Sequence, residues 1–317
     1  MSIFLVAGVV AADDYPLKRE FDVQYGGKLI VDTDRGSINI KTTKKKVVVV
    51  EITRKVLGDF LSDSDEILAD WEIDFDQSGG DVRIIAKSRS DWNWFGWISR
   101  PLRVHFDILV PEQYNLDLKT SGGGVEIADL EGDVKCKTSG GRLVMDQIKG
   151  DIVGQTSGGS ITLDGSDGTV DLRTSGGGIH IGKVAGKVDA HTSGGSVDVE
   201  EAGGDVRVST SGGSIHVNEV RGSISASTSG GSVSATITEQ PKNDCSLTSS
   251  GGGIRVYLAK GIQLEVDAKT SGGGVRCDMP IIVQGLLGKN QVRGSINGGG
   301  PELYLRTSGG PIKILGL

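Results

Sequence analysis

The tetrapeptide Thr-Ser-Gly-Gly begins at Thr120, Thr138, Thr156, Thr174, Thr192, Thr210 and Thr228, always 18 residues after the last. Ser-Ser-Gly-Gly follows at Ser249 and Thr-Ser-Gly-Gly at Thr270, each after 21 residues, with a further copy at Thr307. A finer clock runs inside this one, because glycine recurs every nine residues from Gly123 to Gly231. Two residues after each of these glycines stands Val, Ile or Leu, as in Val125, Val134, Leu143 and Ile152. Two further on, an apolar residue usually returns, as in Ile127, Cys136, Met145 and Leu163, with Gly154 the exception. The unit is therefore Gly-x-apolar-x-apolar followed by about four turn residues, and period-two alternation of that length marks short half-buried strands. A nine-residue unit cannot bury its own apolar face, but strands stacked about 4.8 Å apart can bury one another's.

The expected fold is all-β: a single parallel β-helix (solenoid) whose 18-residue coils are built of two nine-residue halves. The two halves differ. The seventh residue after Gly123, Gly141, Gly177 and Gly213 is Leu130, Ile148, Val184 and Val220, whereas the alternate glycines lead to Ser139, Ser157, Ser193 and Ser211. One corner is thus plugged by aliphatic side chains and the other turns on Thr-Ser-Gly-Gly. Gly123, Gly141, Gly159, Gly177, Gly195, Gly213 and Gly231 are the expected structural turn residues of that second corner. Thr138 continues the inward series of Val134 and Cys136, so the stacked threonines should form a hydrogen-bonded ladder facing inward. That parity argues against an outward, ice-binding threonine array. A right-handed coil is expected from the general preference of parallel crossovers.

Composition narrows the alternatives. Glycine makes up 50 of 317 residues, about 16%, yet proline numbers only 7, which is not the balance of a disordered Pro/Gly-rich chain. No Gly-X-Y triplet runs through the sequence, so collagen is excluded. A hexapeptide helix would need a six-residue period. A calcium β-roll needs a recurring Asp, whereas the third residue after successive glycines varies through Glu126, Lys135, Val144, Val153 and Thr162. The net charge of −7 argues against nucleic acid as a partner. Three cysteines, Cys136, Cys245 and Cys277, give neither an even disulfide set nor a CxxC metal spacing, and the repeat register makes them small core residues.

The flanks keep the strand grammar. Gly36-Ser-Ile-Asn-Ile40 matches the repeat unit, and strands are expected around Leu29–Val31, Val47–Ile52, Trp71–Phe75, Val82–Ala86 and Leu102–Val110. Asp63-x-x-Glu66 reads as a capping box for one short helix over Asp63–Trp71. Residues Ile3 to Ala12 form an apolar run followed by small residues and Asp13, the shape of a signal peptide. Only Met1 and Ser2 precede it, so the usual positive start is missing; the alternative is a buried strand. The chain thus divides into a signal peptide at 1–12, an N-terminal capping part of the solenoid at 13–119, the regular solenoid at 120–274 and irregular C-terminal coils at 275–317.

The Thr-Ser-Gly-Gly-x-Ile/Val repeat, the opening Gly27-Lys-Leu-Ile-Val-Asp-Thr-Asp-Arg-Gly-Ser-Ile38 and the ending Ile296-Asn-Gly-Gly-Gly-Pro-Glu-Leu-Tyr-Leu-Arg-Thr-Ser-Gly-Gly310 together resemble a known family. It is the bacterial "putative adhesin" β-solenoid family, a domain of unknown function related to the head domains of auto-transporter adhesins. The resemblance spans about residues 20–315. It implies an exported protein of the periplasm, envelope or cell surface, and it implies no catalytic residues and no cofactor.

Among chemistry-bearing residues, Trp92, Trp94, Phe95 and Trp97 form the sharpest cluster. Aromatic rings with a polar edge suit sugar stacking or membrane contact; the plain alternative is an apolar plug over the solenoid wall. His180, Asp198 and His216 share one outward column on three successive coils and are weak metal candidates, since metal sites want three or four converging ligands. A mixed surface ladder is the expectation there. Asp171 and Asp189 should stack as a solvated face, and four-residue turns leave no walled cleft for an enzyme. The expected function is a non-enzymatic envelope or surface scaffold, adhesin-like, whose partner is an envelope component, a glycan or a protein. The main alternative is a filament subunit, a homo-oligomer joined through open solenoid ends such as Ile312–Leu317, whose unpaired edge would be a template for another chain. A carbohydrate-active solenoid enzyme is the remote third.

Overall fold

A computed structural model of the chain describes residues 16–56, 64–89, 102–284 and 288–317. Among them almost everything regular is β-strand, and the one α-helix is Ser64–Ala69. The strands fall into two compact units, 1–146 and 147–317. The fold is all-β, its strands run mostly parallel, and this is the arrangement of a β-solenoid.

In the first unit, one sheet has the spatial order Leu17–Asp22, Val47–Val56, Leu102–Pro111, Ser37–Thr43 and Val125–Ile127. The other runs Trp71–Ser78, Asp81–Ser88, Lys28–Thr33, Asn115–Lys119 and Val134–Lys137. The outermost strands are antiparallel, with Leu17 opposite Ile52 and Trp71 opposite Ser88. The inner ones are parallel, and Ile38 pairs with Val125. Spatial order departs from chain order here. The early pair Lys28–Thr33 and Ser37–Thr43 lies between strands that come 40 or more residues later, with Leu29 opposite both Val82 and Leu116. The helix is present, but Trp71 is not its last residue. It opens the strand Trp71–Ser78, where a strand over Trp71–Phe75 was expected, its indole Nε1 donating to Asp34 Oδ1 at 3.0 Å and its ring meeting Phe106 edge-on at 6.1 Å. Asp63 of the expected capping box lies outside the described residues, as do residues 1–12.

In the second unit the ladder is uniform. On one sheet Ile161 pairs with Ile179, Ile179 with Val197, Val197 with Ile215 and Ile215 with Val233. On the other Ile152 pairs with Val170, Val170 with Val188, Val188 with Val206 and Val206 with Ile224. The inward positions of both sheets are buried throughout, and the aliphatic corner residues Val184 and Val220, like Ile148, are at most 2% exposed. Cys136 and Cys245 are buried core residues as expected, burial pushing the Cys136 thiol up to about 12. Cys277 is only half-buried, because its strand Val275–Cys277 has a neighbour on one side alone among the described residues.

The glycine corner has a specific geometry. A Cβ on Gly177 would sit 2.2 Å from the carbonyl oxygen of Gly159, and one on Gly195 would sit 2.3 Å from that of Gly177. Gly141, Gly213 and Gly231 meet the same obstruction from the glycine carbonyl one coil earlier. None of these has a left-handed φ, so close backbone approach rather than unusual torsion excludes a side chain. The buried threonines use the same carbonyls. Thr174 Oγ1 donates to Gly159 O at 2.8 Å, Thr192 to Gly177 O at 2.7 Å and Thr210 to Gly195 O at 2.7 Å. The Thr192 and Thr210 hydroxyls also accept from their own turns, from Gly195 N at 3.4 Å and from Gly213 N at 3.3 Å. The ladder faces inward, as the parity of Thr138 requires, with Thr138 donating to Gly123 O at 2.7 Å.

Two substitutions separate these effects. Gly177→Ala drives a methyl into a backbone oxygen that cannot rotate away and should cost about 3 kcal/mol in urea unfolding. Thr192→Val keeps the shape but leaves a buried carbonyl without its donor, an expected loss of about 1–2 kcal/mol, whereas Thr192→Ser should lose less.

Candidate functional site

Because successive side chains alternate between faces, the outward residues of each sheet form straight columns along the ladder. In the second unit one column runs Thr162, His180, Asp198, His216 and Ser234, each in register with the next. The structure therefore brings the predicted metal candidates His180, Asp198 and His216 onto adjacent strands. It does not make them converge: His180 Nε2 leans to Glu200 Oε1 at 3.8 Å, and no group of three His, Cys, Asp or Glu side chains among the described residues could hold a metal ion. All lie on an open face, where a metal would keep most of its water.

On the opposite sheet of this unit, Asp171 is in register with Asp189 and Asp189 with Arg207. Arg173 bridges the two carboxylates, its Nε 2.9 Å from Asp171 Oδ1 and its Nη2 3.8 Å from Asp189 Oδ1. An open depression of about 560 Å³ lies over Asp171, Asp189 and Arg207 and over Asp151, Lys187, Asp205 and Asp244. Its remaining acids accept backbone hydrogen bonds: Asp151 Oδ1 from Thr169 N, and also Oγ1, at 2.7 and 2.8 Å, Asp205 Oδ1 from Ser223 N at 2.9 Å and Asp244 Oδ1 from Glu302 N at 2.8 Å. Those hydrogen bonds hold the exposed Asp151 carboxyl below its usual range. Carboxylates so committed are poor candidates for acid–base work, which needs a group poised near the working pH. The acidic cluster of Glu201 and Glu219 is likewise paired, with Arg221 2.7 Å from Glu201 and 3.8 Å from Glu219, and Lys183 3.3 Å from Glu201.

Sequence parity missed one site. Asp267 stands between inward Val266 and Ala268, a position that faces outward, yet its side chain is only 8% exposed. Arg306 covers it from a strand 39 residues away, donating from Nη2 to Asp267 Oδ2 at 2.8 Å and from Nη1 to Asp267 O at 2.7 Å, and Arg293 donates to the same Oδ2 at 2.5 Å. Arg306 in turn lies over the Tyr304 ring at 4.0 Å. Burial pushes the Asp267 carboxyl up, but the hydrogen bonds and charges of the two arginines outweigh it and leave it below its ordinary value. The only advance signal was the arginine pair itself, and its partner depends on a strand order that periodicity does not reveal.

Trp92, Trp94, Phe95 and Trp97 lie outside the described residues. The expected free edge at Ile312–Leu317 is absent. The strand Ile312–Gly316 lies between Ile254–Leu258 and Val275–Cys277, hydrogen-bonded to both, so among the described residues the edge strand there is Val275–Cys277. No helix of the described residues is long and apolar enough to cross a membrane.

Comparison with known proteins adds the following. No curated protein matches this chain. A cell adhesion protein from Clostridium sporogenes aligns over 96% of this chain and 100% of its own, at 15% identity and a TM-score of 0.23. An adhesin-named protein from Parabacteroides merdae aligns over 96% and 97%, at 11% identity and a TM-score of 0.36. A protein from Parabacteroides distasonis, described as lipid binding, aligns over 94% and 96%, at 14% identity and a TM-score of 0.31. Scores this low carry no argument about function. The model of the family described as Toastrack DUF4097 matches residues 27–315.

Two measurements follow from this geometry. Calorimetric titration with zinc should give no saturable low-micromolar binding; such binding, abolished in His180→Ala, would establish a metal site. The ionised Asp267 contributes stability that is complete above about pH 4 and lost as pH falls through its lowered value. Asp267→Asn should therefore unfold more readily at pH 6, with a shallower loss of thermal midpoint below about pH 4 than the parent.

Proposed function

The chain belongs to the Toastrack DUF4097 family, and from that premise we propose that it is a non-enzymatic scaffold of the cell envelope or surface, exported and adhesin-like, that presents solenoid faces to a glycan or protein of the envelope. In this reading the coils are right-handed and take 18 residues per turn. The observation that carries it is the coil-on-coil register of the second unit, from Ile161 to Val233 on one sheet, with one shift between Val217 and Val220, and from Ile152 to Ile224 on the other. Turns held to Thr-Ser-Gly-Gly by a carbonyl 2.2 Å from any added Cβ leave no loops there to wall a cleft. Outward charges such as Arg173 with Asp171 and Asp189, and Arg221 with Glu201 and Glu219, pair locally rather than aim at a common point. Such faces bind by extended complementarity, not by enclosing a substrate.

The aromatic segment Trp92–Trp97 is the proposed contact, because tryptophan supplies stacking area and a polar edge for sugars or headgroups. Glycan arrays and envelope pull-downs should retain the intact chain and lose it in the Trp92→Ala/Trp94→Ala double variant, with an unchanged urea midpoint. Equal retention of both forms would remove the aromatic segment from the reading. Release of reducing ends from acidic polysaccharides above the buffer rate would replace the scaffold with an enzyme.

A further inference from the structure

The strand pair Glu302–Thr307 and Ile312–Gly316 occupies a place in the second unit that chain order does not assign to it. The strands before it in sequence, Cys245–Ser249 with Ile254–Leu258 and then Leu264–Thr270 with Val275–Cys277, are consecutive coils, yet they do not pair with each other. The late pair lies between them. Leu303 is in register with both Cys245 and Val266, and Ile312 with both Ile254 and Val275. The chain thus leaves a gap one strand pair wide, goes on to the strand Gln291–Ile296, antiparallel to Leu264–Thr270, and returns to fill the gap.

Everything that holds the late pair is supplied by the walls of that gap. Thr307 Oγ1 donates to Gly252 O at 2.5 Å, and Thr270 Oγ1 to Gly310 O at 2.7 Å, so the glycine corner is completed from both sides. Arg306 clamps Asp267 on one wall, and Glu302 N donates to Asp244 Oδ1 at 2.8 Å on the other. Leu303, Leu305, Ile312 and Ile314 are fully buried. The segment leading in, Asn297-Gly-Gly-Gly-Pro301, holds Asn297, Gly298 and Gly299 at φ 51°, 94° and 86°. Glycine can leave that left-handed region at little cost, so the lead-in can open.

We propose that residues 302–316 are an exchangeable strand pair, and that two copies of this chain join by each filling the other's slot. Nothing in the slot distinguishes its own chain's segment from the same segment of a second copy. The backbone ladder, the threonine corner and the Asp267 clamp are all remade, and only the lead-in changes conformation. That is the condition for domain swapping, with the choice between one chain and two set by protein concentration while the slot is empty. Until the late pair docks, the strands on either side of its place have no pairing with each other, and that place is open to either copy. A second copy is favoured over an unrelated strand because the filler must present Thr and Gly at the corner and Arg opposite Asp267 in one register.

The register also supplies the test. Cys277 and Ile314 are paired residues on neighbouring parallel strands, at a spacing of about 4.8 Å that a disulfide spans. The full chain carrying Ile314→Cys is unfolded with reductant, refolded at graded concentrations, then oxidised and run on a non-reducing denaturing gel. Dilute refolding should give a monomer whose disulfide is internal. Concentrated refolding should give a covalent dimer whose share rises with concentration and which reductant dissolves. Folded, oxidised monomer brought to the same concentration should stay monomeric. Internal disulfides alone at every concentration, or dimers seen in size exclusion that separate on the non-reducing gel, would overturn the proposal. Leu303→Cys against Cys245 asks the same question on the other sheet, and serves if far-ultraviolet circular dichroism shows that Ile314→Cys does not refold.

Discussion

One backbone oxygen at each coil's glycine corner governs this fold. The carbonyl of Gly177 accepts the Thr192 hydroxyl at 2.7 Å and stands 2.3 Å from where a Gly195 side chain would begin. The first interaction ties a buried threonine to the coil before it, so the polar side chain carries no desolvation penalty. The second keeps the corner free of Cβ atoms, so consecutive turns nest at the spacing the strands require. If either failed, the turn would rise off its neighbour and the strands beside it would lose register. The interior of Val, Ile, Leu and Ala follows from that register, since a slip of one residue would send every inward side chain to solvent.

The outer faces obey a looser rule. Arg173 between Asp171 and Asp189, and Arg221 among Glu201, Glu219 and Glu239, are exposed ion pairs of a kind that contributes about 0–1 kcal/mol each. The fold therefore places little demand on which charges occupy the columns. Asp267 departs from this pattern. It is nearly buried and held by two arginines, Arg293 from the antiparallel strand beside it and Arg306 from a strand that reaches it only through the rearranged order of the second unit.

How far the sequence could be read depended on whether a contact was local in the repeat. Val170 opposite Val188, the inward Thr192 and the plugs Val184 and Val220 all follow from counting, because a periodic chain stacks each residue on its own equivalent. That Gly36–Ile40 is a repeat unit was legible for the same reason, but that Ile38 lies beside Val125 was not. Counting fails where the partner is chosen by topology. Trp71 could be read both as the end of a helix and as the start of a strand, and its hydrogen bond to Asp34 could not be inferred from spacing. Ile312–Gly316 looked like a free edge because it came last, and last in sequence was taken as last in space. Cys277 looked like a core residue because its parity is inward, but parity does not say whether a strand has neighbours on both sides.

Strands set out of chain order occur in each unit: Lys28–Thr33 with Ser37–Thr43 in the first, and Glu302–Thr307 with Ile312–Gly316 in the second. A lineage lengthening or shortening such a protein by whole coils is therefore not free to do so anywhere. Duplicating a coil among 152–237 inserts one more rung between equivalent rungs. Duplicating either displaced pair yields a copy with no gap to enter. Length can drift only in the middle of the repeat array, while its out-of-order pairs stay fixed in number.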